Sequence, residues 1–174
     1  VRCRLVEASL AEAHTVECRF EHCDLGRAGL GASTHVRTAF LQCSFAGASL
    51  FETRLDACRL VGSSFVGARW AGVHVDGGDW TLADLTGAHW PGVRLRGARL
   101  VEADLAGAVL TGADLRDADL RRARLDRATL AGADLRGARL EGIDWRTVAL
   151  AGVRLDAVQA VQVVEALGAR VGDG

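Results

Sequence analysis

Lysine, asparagine, tyrosine and methionine do not occur in this chain of 174 residues, and proline occurs once. The missing lysine and asparagine, whose codons are AT-rich, point to a GC-rich genome. A chain without methionine also opens unusually, and Val1 reads either as a GTG start or as the mark of a missing N-terminus. No apolar run approaches the ~20 residues that a membrane span requires, and the first residues lack the pattern of a signal peptide. Five cysteines, an odd number, argue for a reducing compartment. The expected location is the bacterial cytoplasm. Charge of one sign is lacking too: 21 basic residues, all arginine, meet 22 acidic ones for a net charge of −1. The chain therefore has no basic surplus with which to hold nucleic acid directly.

What the chain does have is a period. Every fifth residue from Leu5 to Leu155 is of core type, with Thr15 and His35 the two exceptions in thirty-one. The residue two before it is small or β-branched throughout, as in Ala8, Cys18, Ala28 and Ser33, with only Ile143 larger. Five fits neither a helix of 3.6 residues nor a strand of two; it is the period of a repeat. On an extended backbone the large residue, here called the centre, and the residue two before it share a side. In Ala113-Asp114-Leu115-Arg116-Asp117, Ala113 and Leu115 then point inward, and Asp114 and Arg116 meet water. The fifth position is glycine in fourteen units, which suits a corner. Each unit reads as a short side and a bend, and regular bends wind the chain into coils that stack like parallel strands.

Composition supports this inside and outside. All four tryptophans (Trp70, Trp80, Trp90, Trp145) are centres, and all five cysteines (Cys3, Cys18, Cys23, Cys43, Cys58) take the small inward position. After Leu155 the rule stops. Asp156 and Gly168 frame a stretch of helical spacing, with Val158, Val161, Val164 and Leu167 near one face. The expected organisation is a repeat domain over 1–157 and a capping and dimerisation helix with a tail over 158–174.

Units such as Ala-Asp-Leu-Arg-Asp, Ala-Asp-Leu-Arg-Gly and Ala-Asp-Leu-Thr-Gly resemble pentapeptide repeats over nearly the whole chain. That resemblance implies an all-β solenoid: a right-handed, four-sided parallel β-helix with four units per coil. Thirty-one units then make about eight coils and, at ~4.8 Å per coil, a rod roughly 37 Å long. The run from Asp144 to Val161, the segment from His14 to Leu25 and the stretch from Trp80 to Leu85 resemble the mycobacterial fluoroquinolone-resistance type of this family. That type implies a homodimer joined through the C-terminal helices. It also implies a rod that mimics duplex DNA, binds DNA gyrase or a related type II topoisomerase, and protects it from quinolone-like inhibitors. The register here is free of the loops that plasmid-borne quinolone-resistance relatives carry.

No constellation points to an enzyme, a cofactor or a metal. Cys3, Cys23 and Cys43 are spaced by twenty and would stack in a column, whereas zinc needs a tetrahedral set. Thr15 and His35 are also twenty apart and read as a hydrogen-bonded defect or a water site. His14, His22, His74 and His89 lie outward without the carboxylate or serine partners of a catalytic set.

Two surfaces remain as candidates for a partner. From Ala71 to Val93 three aspartates (Asp76, Asp79, Asp84) occur without an arginine, and this stretch is expected to form an acidic patch that meets the partner. Pro91, mid-side and without an amide to donate, is expected to bend the chain there. The other surface is the side of Leu10, Leu30, Leu50, Trp70, Trp90, Leu110, Leu130 and Leu150, whose outward and corner positions carry only Glu12, Glu52 and Arg69 as charges. It suits a scaffold or interaction module with an unrelated partner.

Overall fold

In the computed structural model, which describes residues 2–172, the period closes into coils of twenty residues. Parallel pairs run from Arg4 with Asp24 to Asp134 with Arg154, almost all offset by twenty. From Arg4 to Arg154 that is seven and a half turns of a right-handed parallel solenoid. Six stretches are long enough to count as strands. β1 (His14–Val16), β3 (Thr34–Val36), β5 (Arg54–Asp56) and β6 (His74–Asp76) stack on one side, and β2 (Arg19–Glu21) and β4 (Ala39–Leu41) stack on another.

Most corners are tight turns with the same bonding, whereas those that follow the strand centres, such as Thr15, His35 and Val75, are bends without it. In Leu105-Ala106-Gly107-Ala108 the Ala108 amide donates to the Leu105 carbonyl at 3.0 Å, and Gly107 has φ +66°. A positive φ at the third residue marks a type II turn. The turn thus takes both residues after the centre, not one. Pro91 is corrected on this point: it follows the centre Trp90 and occupies the second turn position, where proline is favoured and no ladder amide is required. Among the described residues fifteen corners hold a non-glycine residue at positive φ, from Glu7 to Arg127.

The centres fill the bore. Leu85, Leu95, Leu100, Leu105, Leu110 and Leu115 are fully buried, as are the alanines that precede them. Aromatic centres stack along the axis, and Phe45 lies flat on Phe65 at 4.7 Å with 5° between the rings. Gly78 has no room for a side chain, since a Cβ there would stand 2.6 Å from the Cys58 carbonyl. In the first coil Leu5, Leu10 and Phe20 are half-buried, and Cys18, expected inside, is exposed.

The other end is covered. α1 (Ala157–Ala166) begins in a capping box. The Asp156 carboxylate accepts from the Gln159 amide at 3.0 Å, and the Asp156 amide donates to Gln159 Oε1 at 2.9 Å. Val163 is buried against the last coil. Gln159 is also buried, and its Nε2 donates to the Leu135 and Ala138 carbonyls at 2.6 and 2.8 Å. The helix therefore satisfies acceptors that the end of the ladder leaves open.

Candidate functional site

The charged side chains fall into two local patterns. In the C-terminal half an aspartate before the centre is followed two residues later by an arginine, and both point off the same side. The guanidinium forks onto the carboxylate: Arg116 Nε and Nη2 donate to Asp114 at 2.8 and 2.6 Å. Arg121 on Asp119, Arg136 on Asp134 and Arg146 on Asp144 repeat this geometry. The arginine hydrogen bonds hold the Asp114 and Asp119 carboxyls below the usual carboxylate range and bring Asp134 and Asp144 down to about 2. These carboxylates are ionised but locally neutralised.

Asp79 and Asp84 follow the other pattern. Threonine replaces arginine two residues on, so the Thr81 hydroxyl donates to Asp79 at 2.7 Å and the Thr86 hydroxyl to Asp84 at 2.8 Å. The carboxylate is held in place just as firmly, with its charge left intact. Asp76 is exposed, and Asp79 and Asp84 are half-buried. Asp76, Asp79 and Asp84 occupy successive sides of one coil and wrap around its corners instead of sharing a flat face. Coil stacking also supplies arginines that the local sequence lacks: Asp79 pairs along the ladder with Arg59 on one side and Arg99 on the other. None of the three carboxylates is within ion-pair distance of an arginine among the described residues.

Beside this coil the ladder opens. Leu50 and Leu110 donate to the next coil at 2.8 Å each. Among the described residues the equivalent bonds from the Trp70 and Gly72 amides to the His89 and Pro91 carbonyls are not formed. Nor are those from the His89 and Arg94 amides to the Ala68 and Val73 carbonyls, and the Gly77 amide takes the Arg94 carbonyl at 3.1 Å instead. Two tryptophans lie behind the opening. Trp70 and Trp90 are successive centres of one column and meet edge to face, at 4.8 Å and 83°. The flat Phe45–Phe65 pair, at a nearly equal 4.7 Å, stands behind an intact ladder. Here a cleft of about 810 Å³ runs from the sparsely charged side onto the side of Leu55, Val75 and Leu95, lined by Arg54, Asp56, His74, Asp76, His89 and Arg94 among others.

The buried polar centres are satisfied. The Thr15 hydroxyl and His35 Nδ1 are 2.7 Å apart, Ser33 Oγ and His35 Nε2 are 3.0 Å apart, and Thr38 joins through Thr15 at 2.9 Å. The five cysteines are free thiols, and burial pushes the Cys43 and Cys58 thiols up to about 11. Among the described residues no group of histidine, cysteine and carboxylate side chains could hold a metal. Among the same residues no helix is long and apolar enough to cross a membrane.

Two overlapping stretches, residues 81–117 and 103–142, each match the model for pentapeptide repeats (8 copies). The chain is a pentapeptide repeat protein. Solved relatives extend the match to the whole solenoid. A trypsin-treated variant of QnrB1, a plasmid-mediated fluoroquinolone resistance protein, superposes with a TM-score of 0.83 at 25% identity, covering 97% of this chain and 85% of that one. A second trypsin-treated QnrB1 variant superposes with a TM-score of 0.67 at 24% identity and the same two coverages. Full-length QnrB1 gives 0.57 at 20% identity over 96% and 98% of the two chains. No curated sequence matches the chain. Pentapeptide repeat proteins of this kind are structural and interaction proteins.

Two features of this pentapeptide repeat protein were beyond the reach of sequence reasoning. The Trp70–Trp90 cleft lies between coils, although two adjacent tryptophans in a leucine column gave a warning. The role of Gln159 was hidden because a glutamine between Val158 and Ala160 reads as surface. On α1, Val158, Val161, Val164 and Leu167 are 69, 37, 41 and 50% exposed, so the apolar stripe is not consumed by capping.

Proposed function

We propose that this protein is a resistance factor that mimics DNA, binds the DNA-gripping surface of gyrase or a related type II topoisomerase, and protects it from quinolone-like inhibitors. The observation that carries this reading is the match of 97% of the chain to a fluoroquinolone resistance protein at a TM-score of 0.83. Asp76, Asp79 and Asp84 are the proposed contact, because threonine fixes two of them without cancelling their charge. Free thiols in the solenoid support a reducing cytoplasm as its location.

Exposed carboxylates act mainly at long range, so binding should weaken as salt screens them. Replacing Asp76, Asp79 and Asp84 together by Asn should reduce gyrase inhibition in a supercoiling assay while the circular dichroism spectrum stays unchanged. A triple variant that inhibits as well as the parent would remove the patch from the contact.

The same reading includes a homodimer joined through α1. The exposed stripe of Val158, Val161, Val164 and Leu167 is the support, since Gln159 and Val163 already seat the helix on its own coil. Light scattering should show a dimer at micromolar concentration and a monomer for Val161→Asp, Leu167→Asp. A parent that is already monomeric would end this part of the proposal.

A second reading is favoured by the forked arginines, which leave the C-terminal half electrically quiet. On this reading the rod is a scaffold that docks an unrelated protein on its uncharged side, where Phe51 is 51% exposed beside Ala71 and Pro91. A pull-down against purified gyrase subunits separates the two readings.

A further inference from the structure

We propose that the cleft between Trp70–Asp76 and His89–Arg94 is a binding site for an extended peptide segment of a protein partner. The proposal is independent of the gyrase reading and rests on three observations about one place. First, the open ladder leaves the amides of Trp70, Gly72, His89 and Arg94, and the carbonyls facing them, without their usual partners. A row that mixes donors and acceptors in this way is complementary to another extended backbone, as in strand addition to a sheet edge. Second, the walls carry both signs. Arg54, Arg94, Asp56 and Asp76 all belong to the lining, together with His74 and His89. Such a lining disfavours a polyanion and a polycation alike and suits a peptide of mixed or neutral charge. Third, the indole Nε1–H of Trp90, which lines the cleft and is 1% exposed, has no acceptor. The cleft volume of about 810 Å³ lies in the range of ligand sites.

The tryptophans make the site conditional. Every other centre of their column is leucine: Leu10, Leu30, Leu50, Leu110, Leu130 and Leu150. Leucine in place of Trp70 and Trp90 would let the coils close and return the amides to their ladder partners. The site is therefore built by two residues inside the bore, while its lining shows nothing of that from outside.

The test is amide hydrogen exchange of the full chain, read by NMR, with a capped peptide acetyl-Thr-Glu-Val-Arg-Thr-amide as probe. Exchange at Trp70, Gly72, His89 and Arg94 should be faster than at Leu50 and Leu110, and saturating peptide should slow it at least tenfold. The same peptide with N-methylated backbone amides should have no effect. The Trp70→Leu, Trp90→Leu variant should protect the four amides without peptide and lose the response. Equal protection by the N-methylated probe, or none by either, would overturn the proposal. So would protection by inorganic phosphate alone, which would make the site one for a free oxyanion.

Discussion

Leu105→Ala should lower the stability of the rod by ~2–5 kcal/mol in urea denaturation, the cost of emptying a fully buried leucine site. Leu105 has no exposed surface, and its amide holds the Arg124 carbonyl at 2.8 Å. The coil spacing there is set by backbone bonds on every side, so the walls cannot close on the cavity. The expected loss is therefore in the upper part of that range. Leu5→Ala is the comparison, because Leu5 belongs to the first coil and is only half-buried. Its loss should stay below ~2 kcal/mol, since less apolar surface leaves the core. Equal losses at the two positions would show that burial does not follow the five-residue register.

Acid should weaken the fold well before the carboxylates titrate. Burial lowers the His35 imidazole from an ordinary 6.5 to about 4, with the nearby His14 adding a smaller push in the same direction. The folded state thus resists a proton that the unfolded chain accepts. The contribution is fully present above pH 6.5, falls as the pH drops toward 4, and is exhausted below that value. At 1.36 kcal/mol per pH unit the whole effect is on the order of 3 kcal/mol, about 2 kcal/mol of it already lost at pH 5. Thermal denaturation between pH 7 and pH 5 should show the slope, and His35→Leu should remove it. Retention of the slope in that variant would assign it to the exposed histidines instead.

Most of the fold was legible because its rule is local. Whether residue 105 faces inward depends only on its place in a count of five, and the small residue two before it repeats the message. The C-terminal helix was legible for the same reason, with Asp156 and Gly168 marking its ends. The candidate site depends on relations between coils, which a single line of sequence does not display. Asp79 looked free of arginine along the chain, yet Arg59 and Arg99 are its ladder neighbours. Pro91 looked like an obstacle within a side and proved to be an ordinary turn residue. The cleft is an opening of the ladder between coils, which residue type alone does not show.

The corners connect the composition to the mechanics of the rod. After glycine, asparagine is the residue most at ease in the left-handed region that nearly all the corners visit, and this chain has none. Fifteen corners place glutamate, arginine, alanine, leucine and others there instead, each at a penalty of roughly 1–2 kcal/mol. The coils still close, which means that the ladder and the filled bore supply more than the turns oppose. The solenoid therefore contains a distributed reserve of improvable positions on its outer edges. Arg127, exposed at φ +58° in a coil far along the chain from Asp76–Arg94, is one of them, and rewriting such corners offers a way to harden the scaffold without touching what it binds.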